Sequence, residues 1–327
     1  MAASLLTFIF FLLVQLLNNT FSLEIHFYNQ SCPRAELIVN SVVRKHVLQD
    51  PSIPAGLLRL HFHDCLNGCD ASILIDSTED NIAEKEAPPN LTLRGFEVID
   101  DIKASLEDEC KGVVSCADIL AMATRDSVAL SGGAAYALPT GRRDSTVSTI
   151  ANVHIPSPSF PFSAALSVFQ SIGLDLVDMT TLLGAHSVGF CHCGFFIDRL
   201  YDFEGTGLPD PAMDTGLLDT LRQQCPPHVV TLNNISKDPT VFMDQQTKTP
   251  FRLDASFYHG VVDRRAVLQL DQELDFTDLT SKLAVKYANN PKSFIKQFSK
   301  SMIKLGSTNV LTGEQGEIRQ NCRRVNG

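Results

Sequence analysis

Nine cysteines, spread from Cys32 to Cys322, limit how this chain can fold. Residues 4–17 are almost wholly apolar, and the polar break Asn18-Asn19-Thr20 and small Ser22 follow them. This pattern predicts a signal peptide over residues 1–22, too short for an ordinary membrane span, although no Lys or Arg precedes the apolar run. A secreted chain passes through an oxidising compartment, so most of the cysteines are expected to pair. Nine is odd, so at least one thiol lacks an intramolecular partner. Spacing alone does not assign the pairs. Sequons at Asn29, Asn90 and Asn234 suit the same route.

With 327 residues, 44% of them hydrophobic, the chain can bury a large core in one or two domains. Residues 1–22 carry no charge, so the secreted part keeps the net charge of −10. That balance argues against nucleic acid or an anionic membrane as partner. No later segment is long and apolar enough to cross a bilayer.

Strand-like alternation is scarce, and neither repeats nor low-complexity linkers occur. Helical periodicity predicts helices over about 33–48, 54–66, 96–109, 116–130, 163–171, 174–186, 214–224, 274–288 and 291–305. Pro33 suits a first-turn position, and Gly132-Gly133 closes the fourth helix. The class expected is all-α. The boundary between two helical lobes should fall around Gly141–Asp144 and the proline-rich run Pro156–Pro161.

Two histidines in helical segments carry the chemistry. Arg59 and His63 are four apart, so a helix points both to one face. Leu58, Leu60 and Phe62 surround them with apolar surface. A fixed cation beside an imidazole in such a setting suits proton transfer and stabilisation of developing negative charge. His186, alone in the apolar stretch Leu182–Gly189, suits an axial ligand of a metal macrocycle. Blander readings exist for each. A lone histidine in an apolar helix is often a packed core residue, and Arg/His pairs are common on surfaces. His61, His63, Cys65 and Cys69 imitate a zinc site, but His61 and His63 are two apart and diverge on a helix. The run Asp271-Gln272-Glu273 reads as a solvated acidic turn, and Asp64, Asp70 and Ser72 as turn caps.

Ten ordered motifs decide between these readings. They are Phe27–Pro33, Arg59–Cys65, Gly68–Ser72, Arg94–Asp100, Val114–Asp118, Gly141–Asp144, Gly184–Ser187, Leu208–Pro211, Asp271–Leu274 and Asn321–Cys322. With them the chain resembles the plant secretory (class III) haem peroxidases from about Leu23 to Asn326. The resemblance implies a haem peroxidase domain over 23–327. Its two helical lobes, distal (about 23–150) and proximal (about 151–305), would sandwich one haem b. The C-terminal segment would be tied back to the distal lobe by a disulfide.

The resemblance also implies roles. His186 would be the iron's axial ligand, with Asp271 accepting its other ring N–H. His63 would be the distal general base, Arg59 would stabilise charge, and Asn90, steadied by Glu84, would hold His63. Pro139 would edge the donor site. Hydrogen peroxide would be reduced to water while phenolic donors are oxidised in one-electron steps. Implied disulfides are Cys32–Cys110, Cys65–Cys69, Cys116–Cys322 and Cys193–Cys225, leaving Cys191 over. Two calcium ions are implied. One matches Asp64, Gly68, Asp70 and Ser72, the other Ser187, Asp244, Thr247 and Asp254.

The chain departs from the family pattern in places. Three residues, Leu66-Asn67-Gly68, separate Cys65 from Cys69 where four are usual. The Cys65–Cys69 bridge is still expected, with a distal calcium bound more weakly than the proximal one. The segment between Asp244 and Asp254 is long, so Thr247 and Thr249 compete as ligand. Tyr136 stands at the family tryptophan, and His192 where other polar residues meet a haem propionate. The expected protein is an extracellular monomer, of cell wall or apoplast rather than vacuole. The alternatives are a haem-binding protein of the same fold with impaired peroxide turnover, and a disulfide-rich zinc hydrolase.

Overall fold

Helical periods in the sequence become twelve α-helices among the described residues, which are 22–228, 237–245 and 249–327 of a computed structural model. The expected signal peptide (save its last residue), Asn234 and Thr247 lie outside them. In chain order come β1 (Glu24–Ile25), α1 (Ala35–Gln49), α2 (Ile53–Asn67), α3 (Phe96–Glu109) and α4 (Cys116–Leu130). Next are β2 (Pro139–Thr140), α5 (Phe162–Ser171), α6 (Leu176–Leu182), β3 (Phe190–His192), α7 (Ile197–Tyr201) and α8 (Thr215–Gln224). The chain continues through β4 (Thr240–Phe242), α9 (Ser256–Val262), α10 (Gln269–Glu273), α11 (Asp278–Asn289) and α12 (Pro291–Leu305). The strands form only two antiparallel ribbons, β1 with β2 and β3 with β4. The all-α class holds.

Three apolar clusters make the core. The first gathers side chains of α1 to α4, among them Val39, Leu57, Ile102 and Met122. The second gathers α5, α6, α9, α11 and α12 around Phe169, Tyr258, Tyr287 and Phe294. The third lies under α7, α8 and β4. Helix α2 serves two of them, Leu57 and Leu60 facing the first and Leu58 the second. In α4, 13 of 15 residues are buried, so it has no polar face and packs as a central element against α1, α2 and α3. Its start is fixed by Ser115, whose hydroxyl accepts the Asp118 N–H at 3.1 Å.

Two helix expectations need correcting. The predicted helix over 174–186 is α-helical only to Leu182 and continues as a 3₁₀ turn over Leu183–Ser187. A Cβ on Gly184 would lie 2.6 Å from both Phe294 Cε2 and the Tyr258 hydroxyl, so close packing shapes this turn. The predicted helix over 274–288 starts only at Asp278, as α11, because Thr277 caps it by accepting the Thr280 N–H. Short helices α7, α9 and α10 carry too few turns for a periodic signal. The stretch expected as a lobe boundary is a buried anchor at Gly141–Asp144. Arg142 Nη1 donates to Asp118 Oδ1 at 2.7 Å, and neither side chain is exposed.

The cysteines pair as Cys32–Cys110, Cys65–Cys69, Cys116–Cys322 and Cys193–Cys225, with Cys191 free and buried. Cys65 and Cys69 Cα atoms are 4.1 Å apart, a little closer than the usual disulfide range of roughly 4.4–6.8 Å. Gly68, at φ 139°, lets the shortened loop turn that tightly. Among the described residues no single helix is long and apolar enough to cross a membrane.

Candidate active site

Helix α2 sets Arg59 and His63 one turn apart, and both line one cavity of about 260 Å³. His63 is buried, and its Nδ1 lies 2.7 Å from Asn90 Oδ1. An amide oxygen only accepts, so Nδ1 carries the proton and Nε2 keeps its lone pair. Asn90 is held in turn: its Nδ2 donates to the main-chain carbonyl of Glu84 at 2.7 Å. Burial pushes the His63 pKa down to about 3, Arg59 pushes the same way, and the Asn90 bond opposes both. His63 is therefore neutral at pH 7.

Among the described residues no carboxylate pairs with Arg59. Nη1 donates to the Thr92 hydroxyl at 2.8 Å and the Thr92 carbonyl at 3.2 Å, and Nη2 to the Pro89 carbonyl at 2.9 Å. These neutral acceptors orient the guanidinium without cancelling its charge. Burial lowers its pKa. Thr92 and Pro89 escaped the sequence reading; their one signal was adjacency to Asn90.

His186 enters the same cavity from the 3₁₀ turn after α6. Its Nδ1–H donates to both Asp271 oxygens, at 2.9 and 3.0 Å. Asp271, on α10, is 1% exposed. The bond fixes the ring and leaves Nε2 as the nitrogen able to ligate. Leu58, Phe62, Phe169, Leu183 and Met302 wall the cavity with apolar surface. Apolar walls and two imidazoles with opposite duties fit haem: one ring is backed by a carboxylate and so electron-rich, the other by an amide and so a base.

Two groups of oxygen-bearing residues flank the site. Beside His63, Asp64 Oδ2 accepts the Ala71 N–H at 3.1 Å, while buried Oδ1 has no partner. Asp70 Oδ1 accepts the Ser72 N–H at 3.1 Å, and the Gly68 carbonyl accepts the Asp70 N–H at 2.8 Å. Burial pushes Asp64, Asp70 and nearby Glu84 up, Glu84 to about 7, and Asp70 adds to the rise of the other two. Such a cluster is short of positive charge. Beside His186, Ser187 Oγ accepts the Asp254 N–H at 3.2 Å, and the Ser256 hydroxyl bridges Asp244 and Asp254. Ser256 was missed by the sequence reading. Among the described residues no three His, Cys, Asp or Glu side chains converge as a metal cluster. Both groups mix carboxylate, hydroxyl and carbonyl oxygens, a donor set that suits a hard cation.

Some placements differ from expectation. Pro139 does not line the cavity. It pairs with Ile25 in the β1–β2 ribbon, and its carbonyl accepts from Arg142 Nη1 at 2.8 Å. The prolines at the cavity are Pro89, Pro156 and Pro158, so the proline-rich run read as a boundary lies at the site. The Glu84 main chain, not its carboxylate, steadies Asn90. The zinc reading fails because Cys65 and Cys69 are joined to each other, leaving no thiolate. His192 lines the cavity, with Nδ1 3.3 Å from the Asp238 carbonyl. Tyr136 packs against the first two core clusters. Asn90, 3% exposed and bonded at both ends of its amide, has no room for a glycan, whereas Asn29 is exposed.

A helical fold holding an amide-bonded histidine and a carboxylate-backed histidine at one apolar cavity suits a haem enzyme. The peroxidase family model matches residues 39–290. The chain is 48% identical over 305 residues to Peroxidase 57 of Arabidopsis thaliana, covering 93% of each chain. It is 45% identical over 307 residues to Peroxidase 28 of the same plant, again covering 93% of each. Against Peroxidase 5 of Vitis vinifera it is 43% identical over 309 residues, covering 93% of this chain and 92% of that one. The chain belongs to the plant peroxidase family. Its cofactor is haem, its oxidant hydrogen peroxide, and it oxidises a donor.

Proposed function

We propose that His63 and Arg59 activate peroxide at one b-type haem held by His186, and that the electrons come from phenolic donors. The observation that carries this reading is the pairing at one cavity: His63 with Asn90, and His186 with Asp271. Bound haem supplies the redox chemistry, giving two electrons to peroxide and regaining one from each of two donor molecules. His63 Nε2, kept free by the Nδ1–Asn90 bond, takes a proton from the bound peroxide and returns it to the leaving oxygen. Arg59 stabilises the negative charge that develops on that oxygen. Asp271 holds the His186 ring and raises its basicity as a ligand. Apolar walls keep bulk water out, which strengthens each of these interactions.

Donors reach the cavity where Ile155, Pro156 and Pro158 line it. A small apolar and aromatic-compatible edge suits a phenol, which loses one electron and one proton per step. Two calcium ions complete the site. Asp64, Gly68, Asp70 and Ser72 would hold the distal one, and Ser187, Asp244, Asp254 and a threonine of the 247–249 segment the proximal one. The distal ion is the weaker, because the shortened loop has one carbonyl fewer to offer. The apolar leader and four disulfides support secretion, and we place the protein in the cell wall or apoplast as a monomer.

An absorption spectrum tests the reading. The haem-loaded protein should give a strong Soret band that changes rapidly with peroxide and returns when a phenol is added. A Soret band indifferent to peroxide would make it a haem carrier and overturn the proposal.

A further inference from the structure

Arg142, Arg199 and Arg319 are fully buried and lie outside both the histidine pairs and the proposed calcium ligands, and Arg319 reaches the distal loop. Arg319 belongs to the C-terminal segment, tied to the start of α4 by Cys116–Cys322. Glu317 and Asp144 exchange both main-chain hydrogen bonds, at 2.8 and 2.9 Å. The Arg319 main-chain N–H donates to Asp144 Oδ2 at 2.8 Å. The same carboxylate accepts the Cys116 and Ala117 N–H groups, at 3.1 and 2.8 Å. From this anchor the side chain reaches into the distal loop, where Nη2 donates to the Ala71 carbonyl at 2.7 Å. Nε lies 3.9 Å from Asp144 Oδ2. Neither Nε nor Nη1 has a hydrogen-bond partner, and the residue has no exposed surface.

Ala71 is the point where this reach matters. It sits at φ 58°, a left-handed conformation that costs energy when a Cβ is present. Such a residue stays put only when its surroundings hold it. Three bonds do so: its carbonyl accepts from Arg319 and from the Leu74 N–H, the latter at 3.1 Å, and its N–H donates to Asp64 Oδ2 at 3.1 Å. Asp64 follows His63 directly. Buried atoms without partners gather nearby, namely Asp64 Oδ1, Asn67 Nδ2 and Glu84 Oε2.

We propose that Arg319 is a positioning residue for the distal cation: its guanidinium holds Ala71 left-handed, and Ala71 then aims the Asp64 and Asp70 oxygens. The inference rests on reading Asp64, Gly68, Asp70 and Ser72 as a calcium site. The planar fork matters as well as the charge. Nη2 is committed to Ala71, while Nε lies toward Asp144. Lysine would keep the charge but offer a single nitrogen on a flexible stem.

Calcium titration of the chelated, haem-loaded protein, followed by calorimetry, separates the possibilities. Wild type should show two transitions, and the one lost in Asp70→Ala is the distal site. Arg319→Lys should weaken that transition ~10–100-fold, the usual effect of removing a residue that orients metal ligands, and leave the other unchanged. A distal transition present and equal in Arg319→Lys and wild type overturns the proposal while the calcium reading stands. Equal weakening of both transitions marks a general packing loss and also overturns it. No transition sensitive to Asp70→Ala sinks the distal calcium reading itself, and the proposal with it. If Arg319→Lys does not fold, hydrogen exchange on the wild type decides. Removing calcium should expose residues 66–75 and 317–322 together, and opening of the loop alone would contradict the proposed link.

Discussion

At the scale of single residues, the site depends on His63 being neutral and correctly tautomeric. Burial and Arg59 lower its pKa to about 3, and the bond to Asn90 restores part of its basicity. Asn90→Val removes the acceptor. His63 then becomes a weaker base with no fixed tautomer. The rate with peroxide should fall roughly tenfold, about the value of one buried hydrogen bond. Since the lost bond had raised the pKa, the acid limb of kcat/KM should stay or move to lower pH. A limb displaced to higher pH would contradict the assignment. Some of this was legible in the sequence. The Arg59/His63 spacing defines one helix face, whereas Asn90 lies 27 residues from His63 and reached the site only through family likeness. Pro139 enters a strand pair with Ile25 that no local pattern encodes.

At the scale of elements, the turn carrying His186 is set by contacts made far along the chain. The sequence read as helix through His186, yet Tyr258 on α9 and Phe294 on α12 press against Gly184 and tighten the last turn. No local periodicity encodes that. Gly184→Ala places a methyl 2.6 Å from both rings' atoms, and neither ring is free to move in the buried second cluster. Overpacking of this kind costs ~1–3 kcal/mol. Because the strain falls two residues from His186, haem retention should drop together with thermal stability. Haem transfer to an acceptor protein, measured beside a melting curve, checks both. Unchanged haem retention would mean the turn does not position the ligand. Helices with long apolar periods, α3, α4 and α12, were legible to the residue. The start of α11 was not, because Thr277 acts as its cap inside a run whose period begins earlier.

At the scale of the whole molecule, covalent ties join distant parts of the chain. Cys116–Cys322 spans 206 residues and fastens the C-terminal segment beside α4, whereas Cys65–Cys69 spans only 4. A long closed loop restricts the unfolded chain more than a short one. Cys116→Ser with Cys322→Ser should therefore cost ~2–5 kcal/mol in denaturant unfolding. A smaller loss than from opening Cys65–Cys69 would contradict that ranking. The number of cysteines and the presence of an odd thiol were plain from the sequence. Which thiols meet was not, since pairing follows from how helices stack.

The central claim is that His63 moves the peroxide proton in a haem cavity whose other face is His186. The most direct measurement is the rate of reaction with peroxide in haem-loaded His63→Ala, by stopped-flow absorbance, at a Soret intensity matched to wild type. The account predicts a fall of ~10²–10⁴ with haem still bound, as for loss of a positioned general base. A variant that reacts at nearly the wild-type rate would contradict it.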